Sequence, residues 1–227
     1  MFVEWQAPLA SGATATEMAL QFENGRERRV LIVPPLFDEH NKFRRQAVEI
    51  MRKLDRVGID SVLPDLPGCN ESSIDLSRQT LANWRAGLAQ AEAHFSATHA
   101  LAIRSGSVLL PTGLPAFVYA PQKGSQLLRS MIRARTVAAR EVGRDEKAQD
   151  LLDAGREEGV ELAGWHLGAQ MVRELERAEY EPGPSDRVIE QSQVGGSPLW
   201  LRAEPGEDLD QAVALVEVLV SSIDAAE

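Results

Sequence analysis

Three short apolar runs, separated by two amphipathic helices, constrain this chain more than any other feature. Arg29-Val30-Leu31-Ile32-Val33 reads as a buried strand stopped by Pro34-Pro35. Phe43, Ala47, Ile50, Met51, Leu54 and Val57 then recur at helical spacing, up to Gly58, a suitable left-handed terminator. Residues 59–63 form a second apolar run. Residues 80–95 read as a helix with Leu81, Trp84, Leu88 and Ala91 on one stripe, and residues 99–103 form the third strand. Each crossover returns the chain to the same end of the sheet, so these strands must pair in parallel. Residues 115–120 continue the pattern as a fourth parallel strand.

The flanks are less regular. Residues 2–8 and 17–22 are strand-like, and Asn24-Gly25 is a hairpin signal ahead of the next strand. Two or three helices are expected between about 124 and 180, with no strand among them. Glu181-Pro182-Gly183-Pro184 breaks the chain, 187–191 and 198–202 read as the last strands, and 209–223 as a closing helix. The expected architecture is α/β: a mostly parallel, twisted sheet with helices on both faces. It forms one domain over 1–227, with 124–180 inserted as a helical cap over one end.

Composition narrows the function classes. A formal net charge of −10 argues against nucleic acid, whose phosphates call for a basic surface. One cysteine, Cys69, excludes an internal disulfide and a multi-cysteine zinc site, and no cofactor or metal site is expected. Met1 to Pro8 lacks a basic region followed by an apolar run, and no stretch approaches the roughly 18 apolar residues of a membrane span. A cytoplasmic location is the expectation.

In an open parallel sheet, ligands bind at the carboxyl ends of the strands, which singles out three loops. The first, Pro34-Pro35-Leu36-Phe37-Asp38-Glu39-His40-Asn41-Lys42, runs from strand to helix, so amides from Leu36 onward could face an oxyanion. It reads equally as a polar helix start with Asn41 near the cap. The second, Asp65-Leu66-Pro67-Gly68-Cys69-Asn70-Glu71-Ser72, carries the Asp-Leu-x-Gly-x-x-x-Ser pattern that α/β-hydrolases show after their fourth strand. There its role is chiefly structural. Cys69 is a nucleophile candidate only in principle, because a lone thiol without a histidine partner is usually inert.

The third loop is decisive. A nucleophile elbow has the form Gly-x-Ser-x-Gly, with small residues two before and two after the nucleophile. In Leu101-Ala102-Ile103-Arg104-Ser105-Gly106-Ser107-Val108, only centring on Arg104 puts small residues, Ala102 and Gly106, at both tight positions. Centring on Ser105 or Ser107 puts Ile103 or Leu109 there. Arginine stays protonated and cannot attack a carbonyl. The triad order also requires a late histidine, yet the last one is His166, inside the expected cap. Asp186, Glu204 and Asp208 lie where an acid might fall, with no histidine to orient. A rearranged triad would use Ser105 or Ser107 with His40 or His166. Otherwise Arg104 is either an anion site or a residue salt-bridged to Asp65 or Glu161.

Within the cap, Arg129, Arg133, Arg140 and Arg144 share one helical face, beside Leu127, Leu128, Met131 and Ile132. This basic stripe would suit an acidic protein partner or a membrane surface, or else is simply solvated. Glu161-Leu162-Ala163-Gly164-Trp165-His166 reads as a helix-former run in which Gly164 allows close packing and Trp165 belongs to the core.

Together, Val33 to Arg45, Leu63 to Ser72, Glu161 to Gly164 and Pro198 to Leu201 resemble the second of the two hydrolase-like families associated with the exosortase A system. The resemblance runs from about residue 28 to residue 210. It implies an α/β-hydrolase domain working near exopolysaccharide synthesis and the sorting of surface proteins, but no catalytic serine carries over to Ala102–Gly106. Three functions follow as expectations. The first is a hydrolase relative with a degenerate elbow, binding a small acyl or anionic ligand through Leu36, Phe37, His40, Asn41, Asp65, Cys69, Arg104 and Ser105. The second is an active ester or acyl hydrolase or acyltransferase with a displaced histidine. The third is a non-catalytic interaction protein using the basic cap face.

Overall fold

The computed structural model describes residues 1–202 and 204–225. Seven strands form one sheet in the order β1-β2-β4-β3-β5-β6-β9. They are β1 (Phe2–Pro8), β2 (Thr14–Phe22), β3 (Arg29–Val33), β4 (Asp60–Pro64), β5 (His99–Ile103), β6 (Ala116–Tyr119) and β9 (Arg187–Ile189). β1 and β2 join antiparallel at one edge, and every pairing from β4 through β9 is parallel. The expected α/β architecture is therefore present.

Alternation along the strands builds two cores. Leu31, Val33, Ala100, Ala102, Ala116 and Val118 face one side, where α2 (Leu81–Phe95) packs. Val30, Ile32, Leu101, Ile103, Phe117 and Tyr119 face the other, under α1 (Asp38–Arg56) and α7 (Leu209–Ala225). The first face is lined mainly by alanine and valine, so elements above it lie close to the backbone. Gly58 ends α1 at φ 82°, as its position after the apolar stripe requires. Thr80 caps α2 by accepting the Asn83 amide.

Between β6 and β9 lie α3 (Gly124–Glu141), α4 (Ala148–Glu157), a hairpin of β7 (Val160–Leu162) and β8 (Trp165–Leu167), and α5 (Ala169–Arg177). Leu128, Met131, Leu162, Met171 and Leu175 from this insertion join the same apolar cluster as Leu36, Phe37 and Trp84. A short α6 (Gln191–Val194) follows β9.

Three expectations are corrected. The insertion contains a hairpin where only helices were expected. Ala163 and Gly164 form its turn at φ 51° and 82°, and Gly164 projects into open space instead of packing on the sheet. Asn24-Gly25 does not fold β2 against β3. The buried Asp60 carboxylate at the start of β4 accepts the Asn24 and Arg26 amides, and β4 inserts between the two strands. Pro198 to Arg202 is not a strand but a 3₁₀ turn at Leu199–Leu201, with Leu199 inward and Leu201 exposed. Among the described residues, no helix is long and apolar enough to cross a membrane.

Candidate functional site

β5 delivers the chain into a 3₁₀ turn spanning Arg104–Leu109. Arg104 itself sits at φ 53°, a left-handed conformation that is costly for a residue with a side chain. Gly106 approaches β3 so closely that an added Cβ would lie 2.3 Å from the Pro34 carbonyl oxygen and 2.6 Å from that of Val33. Ala102 is fully buried. The tight positions on either side of Arg104 are thus physically demanded, and the strained residue at the centre of the elbow is an arginine.

All three nitrogens of its guanidinium are engaged. Nε and Nη2 donate to the two oxygens of Glu39 at 3.1 and 3.3 Å, and Nη1 reaches the Ala120 carbonyl at 3.4 Å. Both side chains of the pair are about 13–14% exposed. Trp200 lies over the guanidinium with its ring centroid 4.2 Å from Cζ, and is itself flanked by Phe43 and Tyr119. The expected partners Asp65 and Glu161 are elsewhere. Asp65 accepts from Arg44 at 3.1 Å and also from Asn70, while Glu161 is exposed on the β7–β8 hairpin. Two further strained residues surround the pair, Phe37 at φ 54° and Ala120 at φ 48°.

Neither serine meets a histidine. The Ser105 hydroxyl accepts the Leu36 amide at 3.0 Å, which also occupies one of the donors that could have faced an oxyanion. Ser107 donates to the Arg104 carbonyl at 2.8 Å. His40 is buried, and its Nε2 faces Arg44 at 3.2 Å and Asn70 at 3.4 Å. Burial, with the Arg44 charge adding to it, lowers its pKa to about 4, so its imidazole is neutral. His166 points outward from β8, 3.9 Å from Glu161. The displaced-triad arrangement is therefore absent among the described residues. The three late acids are likewise spent or distant. Asp186 accepts the Ala116 and Gly183 amides and the Tyr180 hydroxyl, Asp208 caps α7 through the Gln211 amide, and Glu204 is exposed.

Leu36, Phe37, His40 and Cys69 line one cavity beneath the insertion, and it measures about 20 Å³. That is room for a single water. Phe37 plugs it, with ring centroids 5.7 Å from Trp84 and 5.6 Å from Trp165. Asp65 borders this region through Asn70, whereas Asn41 is exposed on the outer side of α1. Burial, together with the carboxylates of Asp65 and Glu17, pushes the Cys69 thiol up to about 12, which leaves it unreactive. Glu39 and Trp200 were not anticipated. Glu39 stood in the first loop beside His40, and Trp200 in the segment misread as a strand.

Solved structures share this architecture. The chain aligns over 99% of its length with all of the alpha/beta hydrolase domain-containing protein 10 from mouse, at TM-score 0.59 and 10% identity. Est1E from Butyrivibrio proteoclasticus aligns over 97% of this chain and 99% of its own, at TM-score 0.55 and 12% identity. The fold is that of the α/β-hydrolases. Rv0554 from Mycobacterium tuberculosis matches similarly, covering 98% of this chain and 99% of its own at TM-score 0.54 and 10% identity. No protein-family pattern matches the sequence, and no curated protein does. At such identities the α/β-hydrolase likeness carries the scaffold and not a reaction.

Proposed function

We propose that this chain uses an α/β-hydrolase scaffold without hydrolase chemistry, as an accessory that acts by binding. The observation that carries the reading is Arg104 at the strained centre of the elbow, held by Glu39 and covered by Trp200. A group fixed in its protonated form cannot be the nucleophile, and the nearby serines spend their hydroxyls on the backbone. The elbow retains the shape that chemistry needs, filled with a structural ion pair.

A small acyl or anionic ligand in the old pocket finds little support. The cavity has room for only one water, and the arginine fork that would grip an anion is already occupied by Glu39. Recognition at the surface suits the closed geometry better. A role beside exopolysaccharide or exosortase-linked processing rests on the motif resemblance in residues 33–45 and 63–72.

Labelling the purified full chain with a fluorophosphonate probe tests the non-catalytic reading, with Ser105→Ala and Ser107→Ala variants alongside. The expected result is no labelling of a protein that melts cooperatively. Labelling that vanishes in one of the two variants would show a working serine and overturn the reading.

A further inference from the structure

Gln170, Arg173, Glu174 and Arg177 recur at helical spacing, so they share the outer face of α5, opposite the buried Met171, Val172 and Leu175. With Arg85 of α2 and Ala178 they line a groove of about 260 Å³ between the two helices. Its charged lining is three arginines against the single carboxylate of Glu174. That carboxylate is already engaged by neutral donors. One oxygen accepts the Ala82 amide in the first turn of α2 at 3.1 Å, and the other accepts the side-chain amide of Gln170 at 2.8 Å.

The arginines keep unspent donors. None of the three makes an ion pair among the described residues, although the chain as a whole carries a net charge of −10. Arg85 donates from Nε to the Val108 carbonyl at 2.8 Å, which steadies the side chain and leaves both terminal nitrogens without a partner among the described residues. Arg173 is held by the Arg156 carbonyl and by Gln170 at 2.9 Å. Arg177 makes no hydrogen bond among the described residues. Its place in the last turn of α5 suits the carbonyl end of that helix. Arg85 has no such explanation, because it lies near the amino end of α2, where the helix dipole does not favour a cation.

We propose that the groove between α2 and α5 binds the phosphate of a small, soluble phosphomonoester. Arg85 and Arg177 would grip the phosphate oxygens with their free forks, and Arg173 would add its charge. Three guanidinium groups less one carboxylate leave a surplus that matches a dianion better than a single carboxylate. The groove has space for an organic group beside the phosphate. A lipid surface fits the surroundings poorly. Arg85 also borders a hollow lined by the exposed Glu179 and Glu181, which anionic headgroups would repel, and no large apolar side chain is exposed along the groove. The inference goes beyond the non-catalytic reading and does not rest on it. The two fail separately, because fluorophosphonate reports on the elbow and phosphate binding on α2 and α5.

The experiment is a calorimetric titration of the full chain with phenyl phosphate, with benzoate and vesicles containing phosphatidic acid as the comparison probes. Saturable binding of phenyl phosphate is expected, at least ~10-fold tighter than that of benzoate. The double change Arg85→Gln with Arg177→Gln should weaken it at least ~10-fold while thermal unfolding stays unchanged, since both side chains are exposed. Arg129→Gln with Arg133→Gln removes the same net charge from α3 and should leave the affinity within ~2-fold of the parent. Equal binding of benzoate, survival of binding in the Arg85 and Arg177 variant, an equal loss in the α3 variant, preference for vesicles, or no binding of phenyl phosphate would each overturn the proposal.

Discussion

The elbow and the outer face of α3 both centre on arginine, and they treat it in opposite ways. At the elbow, Arg104 is 13% exposed, doubly bonded to Glu39 and roofed by Trp200. On α3, Arg129, Arg133 and Arg140 project into solvent, with no carboxylate partner among the described residues. A hydrogen-bonded, enclosed charge stabilises a shape, whereas an exposed unpaired one adds little to stability and remains available to a partner. In this molecule the arginine at the elbow is enclosed in an ion pair, while those on the outer face of α3 stand in solvent.

Substitutions break or sharpen that contrast. Gly106→Ala should have the largest effect. Its Cβ would press on two backbone carbonyls of the neighbouring strand that cannot swing aside, so we expect a loss of about 4 kcal/mol or more, read from urea unfolding. Glu39→Ala comes next. It leaves Arg104 enclosed and unpaired at a cost of about 3 kcal/mol, and the double variant Arg104→Met with Glu39→Leu should recover most of it. A double variant as unstable as the single one would show that the ion pair is not what matters there.

Acidification tests the same region through His40. Its folded pKa near 4 lies below the 6.5 of an exposed imidazole, so the unfolded chain binds the proton first as pH falls. The stability linked to a neutral His40 is complete above about pH 6.5 and should drop by about 2 kcal/mol between about pH 7.5 and pH 5. His40→Gln should flatten that slope, measured as the urea midpoint at each pH. Buried Glu17 works in the other direction: burial raises its pKa, so it favours the folded state in acid and loses that contribution as pH rises. The smallest effect belongs to α3. Arg133→Glu should leave unfolding within ~0.5 kcal/mol of the parent, and a larger loss would mean that the row is not free.

Much of this was legible in the sequence, for reasons that differ by region. The parallel pairing of the central strands followed from the alternation of apolar runs and amphipathic helices, because fully buried parallel strands leave continuous apolar runs. Arg104 could be placed because the elbow's steric demand falls on residues only two positions away, Ala102 and Gly106. Its partner could not, because Glu39 is 65 residues distant and nothing local distinguishes it from Asp65 or Glu161. The β7–β8 hairpin was hidden by helix-forming Glu161 and Leu162, although Ala163-Gly164 before an aromatic carried a turn signal. Leu199-Trp200-Leu201 showed the apolar character of a strand. Only the tertiary structure reveals that Trp200 is turned toward the Arg104 guanidinium.

The left-handed seat of Arg104 has a consequence for redesign. Placing serine there would preserve the bend but strand the largely buried Glu39 carboxylate without its arginine partner. Installing a nucleophile would require simultaneous edits at three points far apart along the chain: the elbow, the start of α1 and the turn before α7. Each edit alone would weaken the protein before any turnover appeared. A directed-evolution campaign accumulating one replacement at a time would therefore face a barren stretch, and recombination with whole loops would be the more practical route.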